Sequence, residues 1–458
     1  MAISPPQQYL GRAVTAAVAD ALCFAAAACI AWHLLAPPFS ALAYGVATAV
    51  GALGSFVALY YADAYGLKAL SSGRDAFRSV IAVMGVAFIL VTAVHHFAQL
   101  PGGAIEAMAD TAALYFPLLL VERLGFRVTS SLKPFSERLL IVGASDLGVA
   151  TARLAVDCRG LGTKLVGFLS DELVHERSFI EGIPVLGKVH QLEKIVDEFG
   201  IDRIVVASKG RKEHFPAEEL LSQKLQGVTV EAGIAFYERV SGRVYTRDLR
   251  PSYLIFSDGF RTSRRAAFEK RAIDIAVSAA GLLIASPLLL LCAIAIRLES
   301  AGSVFFAQER VGKAGKLFFI WKLRSMRIDA EAESGPVWTQ TDDLRVTRVG
   351  KFLRMTRLDE VPQLWNVLKG EMSLVGPRPE RPEFVESLSV RYPYFALRES
   401  LKPGVTGWAQ IQNGYVNEVE GFEEKLALDI YYMKYRSTLM DLLILWKTAK
   451  TMLLMSGV

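Results

Sequence analysis

Four long apolar stretches constrain this chain more than anything else in it. They cover residues 9–35, 39–62, 76–97 and 104–121, and each is close to the ~20 residues that carry a helix across a bilayer core. Their length and spacing argue against the buried core of a water-soluble helical protein. The connections at 36–40 and 98–103 contain no Lys or Arg. Lys68, Arg74 and Arg78 lie between the second and third stretches, and Arg123, Arg127, Lys133 and Arg138 follow the fourth. Cytoplasmic loops carry the excess of basic residues, so both ends of this four-helix transmembrane module (residues 1–135) are expected on the cytoplasmic face. No basic run precedes the first stretch, which reads as an uncleaved membrane helix and not as a signal peptide.

From residue 136 the pattern changes. Short β-like runs at 139–142, 165–169, 204–207 and 228–231 alternate with helical segments ending near Cys158 and at 189–199 and 217–224. Such alternation predicts a Rossmann-like α/β domain with a parallel sheet, over residues 136–260. The first strand runs into Gly143-Ala144-Ser145-Asp146-Leu147-Gly148, a glycine turn of the sort that cradles a dinucleotide's pyrophosphate. A membrane-anchored NAD-dependent nucleotide-sugar dehydratase would join apolar helices to such a turn, and is the alternative reading of the chain. Two features count against it. Ser145 stands where a central glycine lets the backbone approach the pyrophosphate, and no tyrosine is followed four positions on by the lysine that such dehydratases use with it. Dimerisation or regulation is the expectation for this domain.

The third region, residues 261–458, opens on Arg261, Arg264, Arg265, Lys270 and Arg271. An apolar segment follows at 275–296, within a helix expected at about 272–298, and Ser286-Pro287 interrupts it. Proline removes a helical hydrogen bond and clashes with the preceding turn, costing about 3 kcal/mol in a straight helix. Basic residues return after the segment, at Arg297, Arg310, Lys313 and Lys316. A full span would put these two basic flanks on opposite sides of the membrane. A re-entrant hairpin broken at Ser286 and Pro287 keeps them together, and is expected. The rest reads as a small, polar α/β catalytic domain ending in an apolar helix near 438–455, whose Lys447 and Lys450 suit the membrane interface.

All six histidines (His33, His95, His96, His175, His190 and His214) precede this region, so Ser-His and Cys-His nucleophilic catalysis is not available there. The four cysteines, Cys23, Cys29, Cys158 and Cys292, have neither metal-ligand nor disulfide-framework spacing. What the region does have is carboxylates and cations. Arg348, Lys351, Arg354 and Arg357 recur every third residue; Leu358-Asp359-Glu360-Val361-Pro362-Gln363, Asn366, Lys369 to Ser373 and Gly376-Pro377-Arg378-Pro379 follow, with Lys322-Leu323-Arg324 upstream. Attack of a carboxylate on a diphosphate needs cations at both the reacting centre and the leaving group. An adjacent pair such as Asp359-Glu360 can divide the work, one attacking phosphorus and the other holding Mg²⁺.

This ordered string, with Lys402-Pro403-Gly404-Val405-Thr406-Gly407-Trp408-Ala409-Gln410 after it, resembles the monotopic polyprenol-phosphate phosphoglycosyl transferases, a family of bacterial sugar transferases. The likeness covers about 268–455, and the helices and α/β domain before it resemble the family's long form. The resemblance implies that Asp359 is the nucleophile, that Asp359 and Glu360 hold Mg²⁺, and that Lys322, Arg324, Arg357, Gln363, Pro377, Arg378 and Pro379 bind substrate. It further implies transfer of a sugar 1-phosphate from a UDP-sugar to undecaprenyl phosphate through a phosphosugar-aspartate, with release of UMP. Such a reaction opens exopolysaccharide, capsule or O-antigen synthesis at the bacterial inner membrane, with the soluble domains on the cytoplasmic side. A homodimer and downstream glycosyltransferases are the implied protein partners, and nucleic acid is not among the partners. Val361 replaces a leucine frequent beside the dyad, and Ile411-Gln412-Asn413-Gly414-Tyr415 lacks the basic residue that many relatives carry after Gln410.

Overall fold

The computed structural model describes residues 5–35, 41–61, 64, 74, 77–78, 80–81, 83–86, 102–131, 137–157, 163–171, 179–208, 215–247, 249, 251–260, 263–327, 343–413 and 421–453. It divides into two units, Met1–Ser241 and Gly242–Val458.

The first unit begins with helices α1 (Pro5–Leu35), α2 (Ala41–Tyr61) and α3 (Gly102–Ser131). Small side chains let them approach closely: Ala16, Ala27 and Ala31 of α1 and Ala58 of α2 are all buried, and Leu119 of α3 packs in the cluster with Ala27 and Ala58. Phe24 meets the Tyr115 ring at 5.0 Å in an edge-on contact. Arg123 is not a solvated flank residue. It is buried, and its Nη2 donates to Asp20 Oδ2 at 2.7 Å.

Three of the four expected membrane helices coincide with α1, α2 and α3; the third apolar stretch, 76–97, lies mostly outside the described residues. Only two segments among the described residues are long and apolar enough to cross a membrane, Thr15–His33 and Arg264–Glu299, against the four-helix bundle expected. The side chains described cover only part of α2 and α3, Thr48–Leu59 being the apolar part of α2.

The α/β part alternates β1 (Glu137–Val142), α4 (Asp146–Asp157), β2 (Thr163–Leu169), β3 (Phe179–Ile180), β4 (Ile183–Gly187), α5 (Leu192–Phe199), β5 (Arg203–Val206), α6 (Ala217–Leu225), β6 (Thr229–Ala232) and α7 (Gly233–Ser241). Its sheet has the order β3-β4-β2-β1-β5-β6, parallel throughout except for the β3–β4 hairpin. Leu139 and Ile141 face Ala152, Ala155 and Phe236 on one side. Leu140 and Val142 face Leu192, Ile195 and Leu220 on the other. Alternate residues of a strand point to opposite faces, so one buried strand serves two helical layers.

The Gly143 turn is tightly built. Gly143 has φ 102°, and a Cβ there would lie 2.7 Å from the Ser208 nitrogen. Ser145 Oγ donates to the Ala207 carbonyl and accepts the Gly148 N–H at 3.2 Å. That side chain bridges β1 to the end of β5, at the crevice where a doubly wound fold binds a dinucleotide. The dehydratase alternative gains no support from it.

In the second unit, α8 (Pro251–Phe256) precedes the long helix α9 (Arg264–Glu299). Residues 242–260, expected with the middle domain, bond within this unit instead. Trp408 Nε1 donates to the Gly242 carbonyl at 2.8 Å, and the Val244 and Phe260 amides donate to the Ala427 and Lys434 carbonyls.

The expected hairpin is not divided into two helices. Ser286 and Pro287 lie inside α9, which is helical from end to end. The local chemistry accounts for this. Pro287 deprives the Leu283 carbonyl of its amide donor, and the Ser286 hydroxyl donates to that same carbonyl at 2.7 Å. Both halves of α9 contact the same domain. Arg271 donates to the carbonyls of Val367 and Leu368 and Asp274 accepts from the Leu374 amide, while Cys292 and Ile296 pack on Leu323 and Leu353. Between these contacts Leu283, Ile284, Leu290 and Leu291 are 63–78% exposed, as hydrocarbon-facing side chains are.

Candidate active site

The site is assembled on short elements that follow α9. An antiparallel ribbon of β7 (Phe305–Val311) and β8 (Leu317–Leu323) pairs Phe306 with Lys322. Helix α10 (Arg348–Thr356) starts at Thr347, whose hydroxyl accepts the Gly350 N–H at 2.9 Å. The Glu299 carboxylate accepts the N–H groups of Arg348, at 2.7 Å, and Val349, so α9 caps α10 through its own last residue.

Arg357 ends α10 in the left-handed region, with φ 60° and ψ 14°. One 3₁₀ turn, Leu358–Glu360, follows, and α11 (Gln363–Lys369) begins beyond Pro362. The tight reversal holds Asp359 and Glu360 between two helix ends, both buried. Leu358 anchors the turn in the cluster of Cys292, Ile296, Leu323 and Leu353.

Glu360 Oε1 accepts from Arg378 Nη2 at 2.8 Å and from Lys322 Nζ at 3.2 Å. Burial opposes its ionisation, but Arg378 and Lys322 outweigh that and hold the carboxyl well below the usual range. Asp359 goes the other way: burial, and then the charge on Glu360, push it up to about 6 against the pull of Lys322, Arg354 and Arg357. Its Oδ1 is buried and makes no hydrogen bond. Two adjacent carboxylates thus differ in role by environment, one locked in ion pairs and one with an oxygen available. A magnesium ion takes one or two carboxylates together with substrate phosphates, and this donor set fits such a site, although no group of three His, Cys, Asp or Glu ligands exists among the described residues.

Arg378 arrives from another direction. Strands β9 (Ser373–Val375) and β10 (Gly404–Thr406) pair in parallel, and at Gly404 the backbones approach too closely for a side chain. A Cβ on Gly404 would lie 2.1 Å from the Gly376 nitrogen. The Gly404 amide donates to the Pro377 carbonyl, so Pro377 and Pro379 shape the segment that delivers Arg378 between them.

Of the residues expected to bind substrate, Lys322, Arg357, Arg378 and Gln363 gather at the dyad, Gln363 as the buried first residue of α11. Arg324 does not turn toward it. Its guanidinium donates to the carbonyls of Ala301, at 2.6 Å, and Ser300, at 2.8 Å, closing the loop after α9.

Two contributors stand outside the expected set. Arg354 lies close enough to Asp359 to pull on its ionisation and donates to Ser325 Oγ at 2.9 Å; the three-residue cationic spacing was its signal. Asn366 accepts the Trp321 N–H at 3.1 Å and donates to the Phe319 carbonyl at 2.7 Å, seating β8, and with it Lys322, against α11. Of the run after Gln410 that lacks a basic residue, Gly414 and Tyr415 lie outside the described residues.

The family model described as bacterial sugar transferase matches residues 265–455. The chain is 42% identical over 216 residues to a UDP-N-acetylgalactosamine-undecaprenyl-phosphate N-acetylgalactosaminephosphotransferase of Aeromonas hydrophila, covering 47% of this chain and 50% of that protein. It is 43% identical over 188 residues to a UDP-glucose:undecaprenyl-phosphate glucose-1-phosphate transferase of Caulobacter vibrioides, covering 40% and 69%. A protein of the same name from Escherichia coli (strain K12) is 43% identical over 183 residues, covering 39% of each chain. The match thus spans half the length of the Aeromonas relative and less than that of the Escherichia one.

Proposed function

The chain belongs to the bacterial sugar transferase family, and from that premise we propose that it moves a sugar 1-phosphate from a UDP-sugar to undecaprenyl phosphate. One observation carries this reading: Asp359, buried beside Lys322, Arg354 and Arg357, keeps a carboxylate oxygen without a hydrogen-bond partner. An oxygen in that setting is desolvated and surrounded by the cations a diphosphate needs.

In the proposed reaction Asp359 attacks the sugar-bearing phosphorus of the donor. The bond from that phosphorus to the bridging oxygen breaks, and UMP leaves with the electron pair. Arg378 and Lys322 stabilise charge growing on the diphosphate oxygens while fixing Glu360. An oxygen of undecaprenyl phosphate then attacks the same phosphorus, and the carboxylate of Asp359 is released. Magnesium, held by Asp359 and Glu360, would supply further neutralisation of the diphosphate.

Helix α9 seats this domain on the membrane. The contacts both halves make with one domain support re-entrance at Ser286 and Pro287, and the basic residues on both flanks support placing the soluble parts on the cytoplasmic side of the inner membrane. The first unit would add a membrane anchor and a domain for self-association.

The test is incubation of the membrane-extracted full chain with undecaprenyl phosphate, Mg²⁺ and a panel of UDP-sugars. Formation of a lipid-linked sugar diphosphate with equimolar UMP is expected for at least one donor. Product without UMP, or product undiminished in Asp359→Asn, rejects the reading.

A further inference from the structure

Arg378 lies in residues 376–381, a segment without regular secondary structure, so the direction of its side chain must be set from outside. Three side chains from other elements grip that segment. Arg398 donates from Nη2 to the Arg378 carbonyl at 2.9 Å and from Nε to Asp429 Oδ2 at 2.8 Å. Arg310 Nη1 donates to the Pro379 carbonyl at 3.1 Å, and Lys425 Nζ meets Glu380 Oε1 at 2.6 Å. Asp429 and Lys425 both stand on α12 (Phe422–Tyr435), a helix buried along most of its length. Burial opposes ionisation of Glu380, yet Lys425 and Arg398 hold it at about 2.

A buried ion pair used only for stability can be exchanged for apolar side chains with little loss. This arrangement does something an apolar pair could not. The planar fork of Arg398 divides between a carboxylate on a rigid helix and the main chain of the residue that grips Glu360.

We propose that Arg398, oriented by Asp429, is a positioning residue: it fixes the backbone of Arg378 so that the Arg378 guanidinium reaches Glu360 beneath the donor diphosphate. The proposal rests on the transferase reading for its catalytic consequence, and on geometry alone for the positioning itself.

Arg398→Lys keeps the charge, but one ammonium cannot reproduce the fork; Asp429→Asn keeps the shape and removes the charge. In the full-length enzyme each should slow single-turnover UMP release about ten-fold through displacement of Arg378. In an Arg378→Lys background each should cost under about two-fold, because the residue they position is already altered. Equal losses in the two backgrounds would mark a merely structural role and overturn the proposal, as would a loss below two-fold in the parent.

Hydrogen exchange without substrate supplies the independent arm. The amides of Gly376, Arg378, Glu380 and Arg381 should exchange faster in both variants while those of α12 do not change, and unchanged exchange at these four positions overturns the proposal whatever the activity. Should Arg398→Lys fail to fold, Asp429→Asn carries both comparisons. If the parent releases no UMP from any UDP-sugar, the transferase reading falls and the exchange arm alone decides the positioning.

Discussion

Two turns in this molecule look alike in sequence terms and behave in opposite ways. The Gly143–Gly148 turn joins a strand to a helix, and the Leu358–Glu360 turn joins two helices. Both are short and rich in polar groups. In the first, the Ser145 hydroxyl donates to the Ala207 carbonyl and accepts the Gly148 N–H, so its side chain and one amide of the turn are already engaged. In the second, two carboxylates share one turn, cations converge on both, and Asp359 Oδ1 is left without a hydrogen bond. A turn whose polar groups satisfy one another stabilises a fold. A turn that stores unsatisfied, desolvated charge is suited to chemistry.

The largest expected effect breaks the second turn. Asp359→Asn should lower UMP release about a thousand-fold or more, as removal of a nucleophile does, and near-parent turnover would transfer the role to Glu360. Next come the groups that hold the dyad. Glu360→Gln and Lys322→Met should each reduce turnover about a hundred-fold by weakening stabilisation of the diphosphate, with steady-state kinetics as the readout.

The pH profile sharpens the contrast further. Asp359 acts as the ionised form and is pushed up to about 6, so kcat/KM without added metal should fall as pH drops through about 6. Linkage gives the matching stability change. Above about 6 the native state carries a buried charge that the unfolded chain ionises more readily, so Asp359→Asn should melt higher than the parent. That advantage should shrink as pH falls through about 6 and vanish below about 4, where both states of the parent are protonated. An advantage that grows on acidification would contradict the sign.

The smallest effect falls on the first turn. Ser145→Ala should cost about 1 kcal/mol in a thermal or chemical melt, as loss of a helix cap does, and should leave turnover within about two-fold because that turn performs no chemistry.

Much of this was legible in the sequence. Asp359 and Glu360 stood out because the cationic repeat ending at Arg357 leads straight into them, and the strand–helix alternation of the middle domain gave its parallel sheet. What escaped were features set by contacts distant in sequence. Arg123 read as a loop charge because nothing local shows its partner Asp20, 103 residues away. Arg324 stands two residues from Lys322, which strand alternation alone would place on the same face, but β8 ends at Leu323 and the Arg324 guanidinium closes the loop at Ser300. The Pro287 helix stayed whole because Ser286 replaces the missing donor, a compensation visible only in three dimensions. Residues 242–260 joined the second unit through backbone bonds that carry no sequence signature.

The central claim is that Asp359 carries the phosphosugar between donor and lipid. Intact-protein and peptide mass spectrometry of the full chain, after incubation with UDP-sugar and Mg²⁺ but no lipid acceptor, tests it most directly. One equivalent of UMP and a sugar-phosphate mass on the peptide containing Asp359 are predicted, with the mass chased off by undecaprenyl phosphate. UMP that appears only once the lipid is added, with Asp359 unmodified throughout, would contradict the account and point to direct transfer.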